Sequence, residues 1–228
     1  MEYKIVNGPF ALFKWQALLR DWPTFAQGFF ITILVSLAAL TLAVILGIIF
    51  GVFGALHYKI PRKISRIYVA AIQNTPLVIQ IFFLYNMLPH IGITLPVFSV
   101  GVLGVGIYHG AYVAEVVRGG IGAVPTGQLE SALSQGFTHI GAMRNIIVPQ
   151  AIRIMLPPLT NQAVSLIKNT SIMAMIAGGD LMYHADSWSS NTLYYGPGYV
   201  ITALLYLALC LPLAKFAAKL ESRIGVAR

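Results

Sequence analysis

The sequence predicts an all-α membrane protein with five transmembrane helices, folded as a single domain over residues 1–228. Three observations predict it. Hydrophobic residues make up 57% of the chain and charged residues 10%, a balance too apolar for a water-soluble domain. Long apolar stretches alternate with short polar ones. The basic residues gather in alternate connecting segments, as the positive-inside rule requires. The net charge of +8 is therefore no sign of nucleic-acid binding, since it is spread over several short loops. The single cysteine, Cys210, lies in an apolar run, which excludes a disulfide framework and a thiolate metal site within one chain. No metal site is expected. The opening MEYKIVNG lacks a basic region followed by an apolar core, so no cleaved signal peptide is expected.

Met1 to Gln27 mixes apolar and polar residues with Trp15, Trp22, Lys14 and Arg20. It suits a segment at the membrane surface, with its indoles at head-group level. The first span, about 29–56, carries no charge, and Gly47, Gly51 and Gly54 in its second half permit close helix contact. His57 to Arg66, with Lys59, Arg62, Lys63 and Arg66, reads as a basic inner loop.

The second span, about 67–88, is interrupted at Gln73-Asn74-Thr75-Pro76. Such a break survives in a membrane only where protein or water satisfies the freed backbone. It lines a pathway or is a proline kink packed between helices. Asn86 lies near its outer end, and Pro89 to Ser99 reads as an outer loop.

The third span, about 100–117, carries His109 and Glu115, with Arg118 closing it. Tyr112, Glu115 and Arg118 are three apart and share a face. Glu115 and Arg118 are expected to form a structural ion pair. His109 sits deeper, either facing a cavity or satisfied by a neighbouring helix.

Thr126 to Pro149 is a polar, helix-forming island. Leu129, Leu133, Phe137 and Ile140 recur at helical spacing, so one amphipathic helix is expected over about 128–140. Glu130 suits its first turn, and Gly136 lets the backbone bend or a partner approach. A helix this short is marginal alone in water. It docks into another subunit or rests on lipid head groups.

The fourth span, about 151–177, is the most polar. Pro157-Pro158 should kink it. Gln162, Ser165, Lys168, Asn169, Thr170 and Ser171 make it the best candidate for a pathway lining, with Asn86, His109 and Tyr112 added from other spans. The alternative is hydrogen bonding between helices. Gly178 to Gly198 reads as an outer loop with an aromatic belt. The last span, about 199–213, leads to a basic tail holding Lys215, Lys219, Arg223 and Arg228. Lys4, Lys14 and Arg20 are the only basic residues in outer segments. This puts the N-terminus outside, and the 126–149 island and the C-terminus in the cytoplasm.

Glu130-Ser131-Ala132, three residues, Gly136, nine residues, Ile146, one residue, Val148-Pro149 resembles the EAA loop of ATP-binding-cassette (ABC) importer permeases. Ser131 stands for Ala and Val148 for Leu. AYVAEVVRGGI (111–121), VPQAIRIMLPPLTNQ (148–162), IKNTS (167–171) and NTPLVIQIFFLY (74–85) resemble the polar amino-acid transport branch. The resemblance runs from about Gly28 to the C-terminus. It implies the type I ABC importer permease fold in the cytoplasmic (inner) membrane. It also implies that the island is a coupling helix seated in an ABC ATPase subunit, with Gln128, Glu130, Ser131, Ala132, Leu133, Gly136, Phe137 and Pro149 making or shaping that contact. Two permease chains, identical or closely homologous, two ATPases and an external amino-acid-binding protein are the implied assembly. ATP and Mg would sit on the partner ATPase, with no cofactor in this chain. The chain shows no G-x-x-x-x-G-K-S/T loop, so it is not expected to be an enzyme itself.

For substrate, the resemblance implies a polar L-amino acid. Relatives often carry Asp where Asn169 stands, which would suit a cationic substrate. The neutral Asn169 beside Lys168 leans instead to glutamate, aspartate or glutamine. Two other classes remain to be weighed. An ion-gradient-driven transporter or channel would account for Lys168, Glu115 and His109 in spans, but not for an exposed helix with this spacing. An intramembrane enzyme would need a nucleophile elbow, an H-E-x-x-H pair or paired carboxylates, and the sequence has none of these.

Overall fold

The computed structural model describes residues 8–225, with side chains to Ser222. Met1–Asn7 of the expected surface segment, and Arg228 of the basic tail, lie outside the described residues. The described chain is helical throughout, without a strand. In order it forms α1 (Leu12–Arg20), α2 (Trp22–Ala55), α3 (Lys59–Gln73), α4 (Leu77–Asn86) and a 3-10 turn at Leu88–Ile91. Then come α5 (Val97–Gly122), α6 (Thr126–Ser134), α7 (His139–Ala142) and one π-turn at Met143–Ile147. The chain ends with α8 (Val148–Asn169), a 3-10 segment at Thr170–Ile176, α9 (Leu181–Thr192) and α10 (Tyr195–Gly225).

α2, α5 and α10 are long and apolar enough to cross a membrane. With 34 residues, α2 is about 51 Å long, well beyond the ~30 Å hydrocarbon core. It begins at Trp22, so the last part of the expected surface segment belongs to this helix. The second predicted span is not straight. α3 and the stretch Leu77–Ile91 meet at 94°, with Asn74 and Pro76 in the break. Proline has no N–H to continue the helix, and the residue before it is pushed out of helical geometry. Counted as one broken span, this pair makes four; α8 is long enough but more polar.

Two expected loops are helices. Lys59 to Arg66 forms the first half of α3, with Ser65 buried and Lys59, Lys63 and Arg66 exposed. Nothing in a run of Lys and Arg opposes a helix, so the apolar spacing of Ile60, Ile64 and Ile67 prevails. The expected outer loop 178–198 contains α9, capped by Asp180, whose Oδ2 accepts from the Met182 N–H at 3.0 Å.

Two compact units make up the chain. Of the described residues, one comprises 8–39, 77–105 and 165–212; the other comprises 40–76, 106–164 and 213–225. In the first, Phe25, Leu181, Ala185 and Trp188 form a buried cluster with Leu18. The Phe25 and Trp188 rings meet edge to face at 5.5 Å. In the second, α2 and α5 touch through glycine. A Cβ on Gly47 would lie 2.2 Å from Val113 Cγ1, so only hydrogen fits there. Tyr68 donates to the Ile107 carbonyl at 2.7 Å and stacks on Phe50, which fastens α3 to the same bundle.

Candidate coupling surface and polar lining

The 126–149 island is not the single rod expected over 128–140. α6 stops at Ser134, and Gly136 adopts φ +87°, which L side chains rarely tolerate. The Gly136 N–H bonds the Leu133 carbonyl at 3.0 Å and the Phe137 N–H bonds that of Ala132 at 3.1 Å. This pair is a Schellman termination, which satisfies carbonyls the helix end leaves free. α7 restarts after Thr138, whose Oγ1 accepts from the Gly141 N–H at 3.1 Å. α8 continues from the π-turn without a break, so Pro149 lies inside a continuous helical run, and the π-turn sits where its missing N–H interrupts the hydrogen-bond ladder.

The break splits the expected apolar stripe. Leu129 packs inward against Val124, Ile147 and Ala151, together with Met143 and Ile146. Ala132, expected at the docking contact, is 2% exposed and lies under the helix. Leu133, Phe137 and Ile140 face outward at 43%, 40% and 79% exposure. Gln128, Glu130, Ser131 and Gly136 are exposed beside them. Gln135 Nε2 reaches Ser131 Oγ at 3.4 Å, and Ser134 Oγ bonds the Glu130 carbonyl at 3.0 Å. The result is a rooted helix end carrying three exposed large apolar side chains.

The expected pathway residues fall in both units, and neither unit brings all of them together. In one unit, His109 is 1% exposed, and its Nδ1 lies 3.3 Å from Gln162 Oε1. The Tyr112 hydroxyl lies 3.1 Å from that of Tyr108. Gln73 Nε2 bonds the Ala111 carbonyl at 3.3 Å, so a side chain at the break is satisfied within its own unit. In the other unit, Lys168 and Ser171 line an open hollow of about 340 Å³ with Tyr199, Thr202 and Tyr206. Ser165 and Asn169 are half-buried. Thr170 is fully buried and donates to the Ile167 carbonyl at 2.7 Å, so it caps its own helix turn. Asn86 is exposed and bonds the Phe82 carbonyl at 3.0 Å.

Glu115 and Arg118 form the expected pair, bidentate at 3.0 and 2.7 Å, with both side chains partly exposed. One polar cluster was not expected from the sequence. Asp180 and Thr32 are buried together in one unit, where Thr32 Oγ1 accepts at 3.0 Å from the N–H of Leu181, the residue after Asp180. A local signal for it exists: an Asp just before a helix-forming run is a cap.

The family model for the "binding-protein-dependent transport system inner membrane component" matches residues 43–226. The probable glutamine ABC transporter permease protein GlnM of Bacillus subtilis is 41% identical over 207 residues, covering 91% of this chain and 96% of that one. The L-cystine transport system permease protein TcyB of the same organism is 31% identical, covering 89% and 87%. A crystal structure of an amino acid ABC transporter with histidines superposes at TM-score 0.84 with 35% identity, over 91% of this chain and 97% of that one. The MetNI methionine ABC transporter shares the fold at TM-score 0.72 and 14% identity, over 88% and 98%. Members of this family are membrane permease subunits, and ATP hydrolysis belongs to a partner. The chain belongs to the family of binding-protein-dependent transport system inner membrane components, as the permease subunit of an ABC importer.

Proposed function

We propose that this chain is the pore-forming subunit of an ATP-driven importer of polar L-amino acids. The surface made by Glu130, Leu133, Phe137 and Ile140 receives the motion of a separate ABC ATPase. The observation that carries this reading is the exposure of three large apolar side chains on a helix end whose base is packed into the protein. Exposed clusters of this kind need a partner. ATP and Mg are held by that partner. In this reading the chain has five spans, α8 being the fourth, with the N-terminus outside and the coupling surface in the cytoplasm. A second copy or close homologue completes the pathway across a two-fold axis. An external binding protein delivers the substrate.

The amino-acid permeases among the relatives support the substrate class, and the glutamine permeases among them favour glutamine within it. Lys168, beside the hydroxyls of Ser171, Tyr199 and Thr202, suits a carboxylate-bearing substrate. Uptake of labelled glutamine by vesicles holding the permease, an ATPase and a binding protein tests the reading. Uptake that requires ATP supports it, and uptake driven by an ion gradient without ATP overturns it.

A further inference from the structure

Beside the coupling segment, the unit containing α3 and α6 holds a second feature that the transport reading leaves unused. It is a cavity of about 860 Å³ between the C-terminal ends of α2 and α5, the start of α3, and α6–α7. That volume is in the range of small-molecule sites, roughly 300–1,000 Å³. One wall is apolar, formed by Val52, Ala55, Ile121 and Val124. The basic side chains Arg62, Arg66 and Arg118 line it with His57 and His139, against one carboxylate, Glu115. Two of these cations are already engaged. Arg62 Nε and Nη2 bond the Leu56 carbonyl at 3.1 and 2.9 Å, and Arg118 holds Glu115. Arg66 is exposed and in no salt bridge among the described residues. Ser65, 3% exposed, adds a hydroxyl to the lining.

A cavity with a cationic side and an apolar side fits an amphiphilic anion. The ends of two spanning helices and the start of amphipathic α3 bound it, the level at which bilayer phosphates lie. Basic pockets between spanning helices at the cytoplasmic surface recognise acidic head groups. We propose that this cavity holds one anionic phospholipid, its phosphodiester against Arg66 and its first acyl carbons on the Val52–Val124 wall. The cytoplasmic placement rests on the topology under Proposed function; the binding itself does not, and its test needs neither ATPase nor transport.

The full chain is purified in neutral detergent, and lipid retention is measured by native mass spectrometry with phosphatidylglycerol, phosphatidylcholine or inorganic phosphate added. The expected result is one retained phosphatidylglycerol per chain, in preference to phosphatidylcholine and undisplaced by millimolar phosphate. Arg66→Gln should weaken retention about fivefold, and Arg66→Lys should restore most of it. Gly122→Phe should weaken retention by projecting a ring into the cavity, since no atom lies within 4 Å of a Cβ built there. Size-exclusion profiles report whether each variant folds, and Arg66→Gln, at an exposed position, keeps the test valid should Gly122→Phe fail to fold. Equal retention of the two lipids overturns the proposal. So does retention that Arg66→Gln leaves unchanged. Displacement by inorganic phosphate assigns the site to a soluble phosphate and overturns the lipid assignment.

Discussion

The Trp188 indole Nε1 donates to the Asp21 carboxylate at 2.9 Å, joining α9 to the short turn between α1 and α2. This bond and the neighbouring Arg20 hold the Asp21 carboxyl below the usual carboxylate range. A lowered folded-state pKa stabilises above the unfolded value and is lost as pH falls through the folded one. Trp188→Phe keeps a ring on Phe25 but removes the donor. It should cost about 1–2 kcal/mol at neutral pH. It should also shrink the loss of stability on acidification below about pH 4. Thermal unfolding of both proteins between pH 3 and 7 checks this.

Asp180 carries the opposite sign. Burial raises its pKa to about 6, despite bonds from backbone N–H groups. The folded protein therefore takes up a proton between about pH 6 and the unfolded value near 4, and stability from this group rises as pH falls through that window. Asp180→Asn keeps an oxygen for the Met182 N–H. The variant should lose the gain between pH 7 and 5 while matching or exceeding the parent at pH 7.5. Melting temperatures across that range decide it.

Gly136→Val should separate ATP hydrolysis from uptake. The left-handed backbone at φ +87° costs an L residue about 1–2 kcal/mol, more for a β-branched one, so the turn presenting Phe137 would distort. Glu130→Lys should act similarly by reversing an exposed charge on α6. In vesicles holding the full transporter, hydrolysis should persist while uptake falls by an order of magnitude or more. Unchanged uptake would refute the role of this turn.

Gly47→Leu should destabilise the fold and lower its yield, because its Cβ alone would meet Val113 Cγ1 at 2.2 Å and the Ala114 nitrogen at 3.2 Å. Overpacking of this kind costs roughly 1–3 kcal/mol or more. Gly119→Ala in α5 is the control. No atom lies within 4 Å of its added Cβ, and better helix propensity should stabilise by up to about 1 kcal/mol. Yield of monodisperse protein separates the two outcomes.

The spans that are apolar all along, α2, α5 and α10, were legible because a hydrophobic run of that length suits little but a lipid bilayer. Their ends were not, since helices run on past the membrane wherever propensity allows; α10 continues to Gly225 against an expected end near 213. Pro76 marked the break in the second span, but its 94° angle was not legible in the residues. In the 126–149 island two local signals competed. The spacing of Leu129, Leu133, Phe137 and Ile140 argued for one helix, and Gly136 argued for a bend. The bend prevailed, because termination satisfies two free carbonyls. α9 was hidden by its polar, aromatic composition, although Asp180 signalled its start. The approach of His109 to Gln162, 53 residues apart, has no local signature, so each stood out as a polar residue within a span but their pairing was not legible.

The most direct measurement is a cysteine cross-link from position 133 or 137 to the ATPase expressed with this chain, in a background with Cys210 replaced. Both positions are exposed, and Cys210 is the chain's single cysteine. The account predicts a covalent product with the nucleotide-hydrolysing subunit from both positions, and none from buried Ala132 on the same helix. Capture from Ala132 alone, or no capture from Leu133 and Phe137 while the assembled complex hydrolyses ATP, would contradict it.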